Sequence, residues 1–212
     1  MSRFNDFVAM VSAPDDFFKK LAQREHDYIK PYLFFLSLMG VALFLDFLLE
    51  MVGMVYGVGT FADVSVVFVP IYYFIMLVSL FISPFLSTVF TYLGLLLFAK
   101  KNDFLKTFNA VVYSDTINAP YVVLITLLAV AIPVIFGTSG TALVISGLLT
   151  MLIGIVVIVH VFALETIAVR NMFGLTTGRA FMSVVFVPAV LFILTLFAVI
   201  SLLMMIGLSV TL

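Results

Sequence analysis

The sequence predicts an all-α, polytopic integral membrane protein with five transmembrane helices and a short N-terminal amphipathic helix. Three observations predict it. The 212 residues are 65% hydrophobic and only 10% charged, with a mean hydropathy of +1.33, whereas soluble chains run at about 45–50% apolar and about 25% charged residues. A core built from this chain cannot hide so much apolar surface, so lipid has to cover the rest. The apolar residues are also gathered into runs long enough to cross a bilayer, at about 20 residues each. Finally, every Lys and Arg falls before the first run, between the second and third, or between the fourth and fifth. A net charge of −1 gives no basic field for nucleic acid. With no Cys and two His, disulfide, thiolate and most zinc chemistry are excluded, and no cofactor is expected.

Residues 1–30 form the one markedly polar segment, read as a cytoplasmic amphipathic unit ahead of a five-span domain over 31–212. Phe4, Phe7, Val8 and Val11 share a helical face. In SAPDDFFKKLAQREHDY, Pro14 suits a first helical position and Asp15 and Asp16 the positive end of a helix, while Phe18, Leu21, Ala22 and Tyr28 make an apolar side. Such a helix either lies on the membrane surface or packs on the protein's own loops.

Pro31–Glu50 is the first span. Val64–Ala99 would measure about 54 Å as a helix, against about 30 Å of hydrocarbon, so one long, tilted helix starting near Pro70 is expected, with a kink at Pro84. KKNDFLKTFNAVVYSDTINAP, from Lys100 to Pro120, reads as the central cytoplasmic connection, a polar loop that ends in the entry to the third span. A third span over about Ile117–Phe136 contains Pro120 and Pro133. GTSG (Gly137–Gly140) makes a tight turn, with Thr138 or Ser139 capping the fourth span, Ala142–Val169. Arg170–Ala180 is the last polar loop, and Phe181–Leu212 holds the fifth span. The positive-inside rule puts the N-terminus in the cytoplasm and the C-terminus outside.

Few residues suggest chemistry. GTSG invites comparison with an intramembrane serine protease motif, but His160 lies twenty-one residues further along the same helix, about 31 Å away, too far to act as a base. No enzyme is expected. Ionisable residues inside spans are functional candidates by default. Asp46 and Glu50 share a face near the outer end of the first span and suit either a proton or cation site or a hydrated interface. Glu165 and His160, five apart, point about 140° apart. An ion pair of Glu165 with Arg179 of the next helix or with Lys100, both better placed than Arg170, is the favoured reading over a transport site. Asp115 and Asn118 open the third span: either Ser114 or Asp115 caps it, or these polar groups line a pocket shared with Glu165. Ser79, Ser83, Ser87 and Thr91 form a small-residue stripe able to bring another helix close, within the chain or between subunits.

Three stretches carry a family likeness: APDDFFKKL followed by DYIKPYLFFLSL, then LFAKKNDFLKTFNAVVYSDTINAP, and GLTTGRAFMSVVFVP over Gly174–Pro188. With five spans, the chain resembles the Yip domain family of Ypt-interacting membrane proteins. The resemblance implies a non-enzymatic, membrane-organising or adaptor role in the bilayer, through homo-oligomers or other membrane proteins. It extends to small GTPases by family analogy, although the chain lacks the long N-terminal region and DLYGPFW-like motif of the trafficking subgroup. A small permease or ion carrier using Asp46, Asp115, His160 or Glu165 is the alternative that the residues themselves allow.

Overall fold

The computed structural model describes residues 3–58, 68–99 and 102–210. Two short helices, α1 (Arg3–Ser12) and α2 (Pro14–Ala22), precede the first span, α3 (Ile29–Val55). The second span is α4 (Phe68–Phe98). A 12-residue helix, α5 (Phe104–Asp115), leads through a tight turn into α6 (Asn118–Phe136), the third span. The fourth span is α7 (Gly140–Phe173). The fifth begins with α8 (Thr177–Phe181), passes through a π-helical segment at Met182–Phe186 and continues as α9 (Val187–Val210). No strand occurs among the described residues. Five helices are long and apolar enough to cross a membrane, and most of their large apolar side chains face outward, as a lipid environment requires.

Local chemistry sets the boundaries. Pro14 sits in the first turn of α2. The Ser139 side chain accepts a hydrogen bond from the Ala142 N–H and so caps α7, as the GTSG turn predicts. At the other end of α7, Gly174 adopts φ +65° and the Leu175 N–H closes back on the Arg170 carbonyl at 3.1 Å, a left-handed terminus that glycine adopts without strain. Pro84 lies inside α4, and the Thr88 hydroxyl donates to the Pro84 carbonyl at 2.6 Å. α4 starts at Phe68, close to the expected Pro70.

The largest departure from the sequence reading is the central connection. Lys100 and Lys101 lie outside the described residues, but residues 104–115 are a helix at the heart of the bundle and not a surface loop. Phe108, Ala110, Val111 and Val112 are fully buried. Its polar residues are satisfied at close range: Asp103 caps the helix by accepting from the Lys106 N–H at 3.1 Å. Thr107 donates to the Asp103 carbonyl and Ser114 to the Ala110 carbonyl, both at 2.8 Å. Asn109 donates to the carbonyls of Leu105 and Asp27. Such bonds let hydroxyl and amide side chains enter a core. α5 packs against α4, α7 and α3.

The N-terminal helices settle against this core. Phe17, Phe18 and Leu21 of α2 are buried in a cluster with Leu95, Ala110, Ala168, Val169 and Met172, so α2 packs on the protein itself. Phe17, absent from the predicted apolar side, meets Tyr113 edge to face at 5.5 Å. Asp15 bonds both Arg170 and Asn171 of α7. These two partners hold the Asp15 carboxyl below the ordinary carboxylate range, Asn171 contributing most.

One close helix crossing fixes the fifth span. The π segment closes with the Val187 N–H bonded to the Met182 carbonyl, and Pro188 has no N–H to offer the carbonyl of Ser183. That carbonyl faces Gly94 of α4: a Cβ built at residue 94 would lie 2.1 Å from it.

Candidate functional site

A cleft of about 480 Å³ opens between α3, α4 and the α5–α6 segment. α3 packs closely on α6 and only sparingly on α4, which leaves room between them. Asp46 and Glu50 project from successive turns of α3. Tyr72, Tyr73, Ser79, Ser83 and Ser87 come from α4. Asp115, at the last residue of α5, joins Asn118 and Thr126 on the third wall, and Phe35, Met39, Leu43, Met76 and Ile125 are among the apolar residues that complete the lining.

Asp46 is the best-anchored group. The Tyr73 hydroxyl donates to its Oδ2 at 2.7 Å, and the Thr126 hydroxyl donates to its Oδ1. Asp46 is 9% exposed and Glu50 4%, so both carboxyls are enclosed by the protein. The reason is positional: tyrosines of α4 and a threonine of α6 close over the face that carries both carboxyls. The lining contains no Lys, Arg or His among the described residues. Chemically, the cleft therefore offers acceptors to a cation or a hydrogen-bond donor within an apolar setting.

Asp115 does not cap the third span. It ends α5 and lines the cleft, while Ser114 bonds within its own helix and α6 starts without a side-chain cap. The intervening turn is stitched instead by the Thr116 hydroxyl on the Tyr113 carbonyl at 2.6 Å. Glu165, 3% exposed, accepts from the Thr91 hydroxyl at 2.5 Å. No basic residue pairs with Glu165 among the described residues. Arg170 is turned toward Asp15 and Arg179 is exposed, and Lys100 lies outside the described residues. Residues 165 and 170 are five apart and point in different directions, which sends the guanidinium to α2. His160 is separate from the cleft, its Nδ1 2.9 Å from the Tyr121 hydroxyl.

The sequence sets Asp46 and Glu50 near the outer end of the first span and Asp115 and Asn118 in the opposite half with Glu165; the structure instead lines one cleft with the first four. His160, Arg179 and Glu165 are not among its lining residues. Tyr73, Thr126 and Asp15 carry hydrogen bonds that sequence reading missed. Single hydroxyls inside apolar runs gave the only signal for the first two. The serine stripe splits: Thr91 turns inward to Glu165, whereas Ser79, Ser83 and Ser87 line the cleft. The close approach within the chain uses Gly94. Among the described residues no three His, Cys, Asp or Glu side chains gather as a metal site would require.

A match to the Yip1 domain covers residues 8–208, nearly the whole chain and all five spans. No curated protein and no solved structure matches significantly. A domain match of that extent, on five membrane-crossing helices, makes this chain a multi-pass membrane protein that belongs to the Yip1 domain family.

Proposed function

We propose that the protein is a membrane-organising or adaptor component that acts through helix contacts and through its basic end, without catalysing a reaction. In this reading residues 1–30 are a cytoplasmic segment attached to a five-span domain of residues 31–212. The N-terminus is cytoplasmic and the C-terminus extracytoplasmic, because no Lys or Arg lies in the two opposite connections or after the last span. The observation that carries the reading is the docking of α2 on α7. Three buried side chains and the Asp15–Arg170–Asn171 contact hold the segment before the first span and the end of the fourth in one fixed surface. A preorganised polar surface suits a protein partner, since little ordering remains for binding. A second copy of the chain would have to reach Ser79 and Ser83 of α4 through the open side of the cleft that they line; a small GTPase follows from family analogy alone. Passage of a solute through the cleft draws no support from the family match, and the proposal does not extend to it.

Cysteine introduced singly at Ser83, or at exposed Thr176 beside the docked surface, tests the proposal by crosslinking in native membranes. A trapped homodimer or a defined adduct with another membrane protein is the expected product. Monomer alone from both positions would contradict the adaptor reading.

The docking also has a pH signature. The folded state lowers the Asp15 pKa, so its contribution is present above the ordinary carboxylate value, near pH 4, and is lost as pH falls through the lowered folded value. Half the side chain is exposed, so screening limits the ion pair to about 0.5–1 kcal/mol. Asp15→Ala is expected to speed tryptic cleavage at Lys19 and Lys20 at neutral pH. The stability gap between this variant and the parent should close as pH is lowered below about 4. A gap independent of pH would mean that the apolar contacts alone hold α2.

A further inference from the structure

A polar pocket of about 400 Å³ lies where the end of α2, the start of the first span and α5 meet. Asn109 of α5 lines it and is only 3% exposed. Its amide donates to the Asp27 carbonyl at 3.0 Å and to the Leu105 carbonyl at 2.8 Å, which uses both N–H groups. The Asn109 Oδ1 accepts no hydrogen bond among the described residues, and it is not one of their sealed polar atoms. Leaving a buried amide oxygen unpaired is unfavourable, so this one calls for an N–H donor from outside the chain.

Arg24, Glu25, Asp27 and Lys30 also line the pocket, and they differ in what they have left to offer. Asp27 is taken: it accepts from the Lys30 N–H at 2.7 Å and pairs with Lys30 Nζ at 3.2 Å. Glu25 is exposed and has no hydrogen-bond or ion-pair partner among the described residues. Arg24 stands 3.9 Å from Asp6, beyond hydrogen-bonding distance, so its guanidinium donors remain available. The Lys30 side chain is 86% exposed and keeps two of its three N–H donors. The pocket thus sets an open carboxylate and an open amide oxygen beside two cations. That combination suits a ligand in which an N–H-bearing cation and an anion lie close together.

We propose that this pocket binds a phosphoethanolamine group. The ammonium donates to Asn109 Oδ1 and meets Glu25, and the phosphate, two carbons away, meets Arg24 and Lys30. A choline group carries no N–H and would leave the amide oxygen unpaired. The bilayer is the nearer source of the ligand. Lys30 is the second residue of α3, and Leu33, 45% exposed, lies one turn further along the same face. A phosphate held at Lys30 therefore has an apolar, lipid-facing side chain below it for an acyl chain. Binding there requires no protein partner.

The test is native mass spectrometry of the delipidated full chain, titrated with phosphatidylethanolamine, phosphatidylcholine, phosphatidylglycerol or soluble glycerophosphoethanolamine. One phosphatidylethanolamine should bind about tenfold tighter, or more, than phosphatidylcholine or phosphatidylglycerol. N,N-dimethyl-phosphatidylethanolamine, which keeps one N–H, should bind more tightly than phosphatidylcholine. Soluble glycerophosphoethanolamine should bind more weakly than the lipid. Equal affinity of the two would keep the headgroup site and assign it to a soluble ligand. Glu25→Gln and Arg24→Gln, both at exposed positions, should each weaken phosphatidylethanolamine binding about five- to tenfold, the order of one charged hydrogen bond. Phosphatidylcholine binding as tightly as phosphatidylethanolamine, or unchanged binding in both variants, would overturn the proposal. The comparison among lipids needs only the parent chain, so it stands even if a variant folds poorly.

Discussion

Gly94→Ala is expected to destabilise the bundle by about 1–3 kcal/mol or more, although alanine is the better helix former. The added methyl would lie 2.1 Å from the Ser183 carbonyl oxygen and 2.8 Å from the Ser183 carbonyl carbon and Cα. These are backbone atoms, so no side-chain rotation relieves the clash, and α4 and the fifth span would have to separate. Gly40→Ala is the matched control. It too replaces a glycine inside a long helix, but nothing lies within 4 Å of its added Cβ, so a gain of about 0.5–1 kcal/mol is expected there. Thermal unfolding in a mild detergent reads both. Equal effects of the two substitutions would show that the Gly94–Ser183 crossing does not hold the fifth span in place.

Phe108→Ala is expected to cost about 3–5 kcal/mol, the range for emptying a large aromatic side chain from a packed core. Phe108 is fully buried. Its ring meets Phe85 of α4 at 5.0 Å, Tyr28 before the first span at 5.2 Å and Tyr32 of α3 at 6.2 Å. The loss would therefore be felt by three segments at once. A surface connection would predict an effect within about 0.5 kcal/mol, so the same unfolding measurement separates the two descriptions of residues 104–115.

That contrast shows what was legible in the sequence and what was not. The five spans were legible because hydropathy over some twenty residues is a sum, insensitive to detail. The GTSG turn and its Ser139 cap were legible because capping is local chemistry. Residues 104–115 differ from the sequence reading because hydropathy treats Thr107, Asn109 and Ser114 as polar, while their side chains bond to backbone carbonyls four residues back or to that of Asp27. A helical signal was present in Phe104, Leu105, Phe108, Val111 and Val112, which fall on one face. For the cleft, the carboxylates identified themselves as intramembrane acids. Their partners did not, because Tyr73 and Thr126 come from other helices, 27 and 80 residues away from Asp46, and no spacing rule in one chain connects them. The expected pairing of Glu165 with an arginine is not found among the described residues; Thr91, 74 residues away on another helix, donates to its carboxyl instead.

The burial of α5 is the central claim, since α5 carries Asp115 to the cleft and presents Ala110 to the cluster that receives α2. The chain has no cysteine, so Val112→Cys and Thr176→Cys can be compared directly, each probed in purified protein with a bulky, polar maleimide. Val112 is fully buried and Thr176 exposed. The fold predicts rapid labelling at 176 and none at 112 until the protein is denatured. Equal labelling of both positions in the folded protein would contradict it.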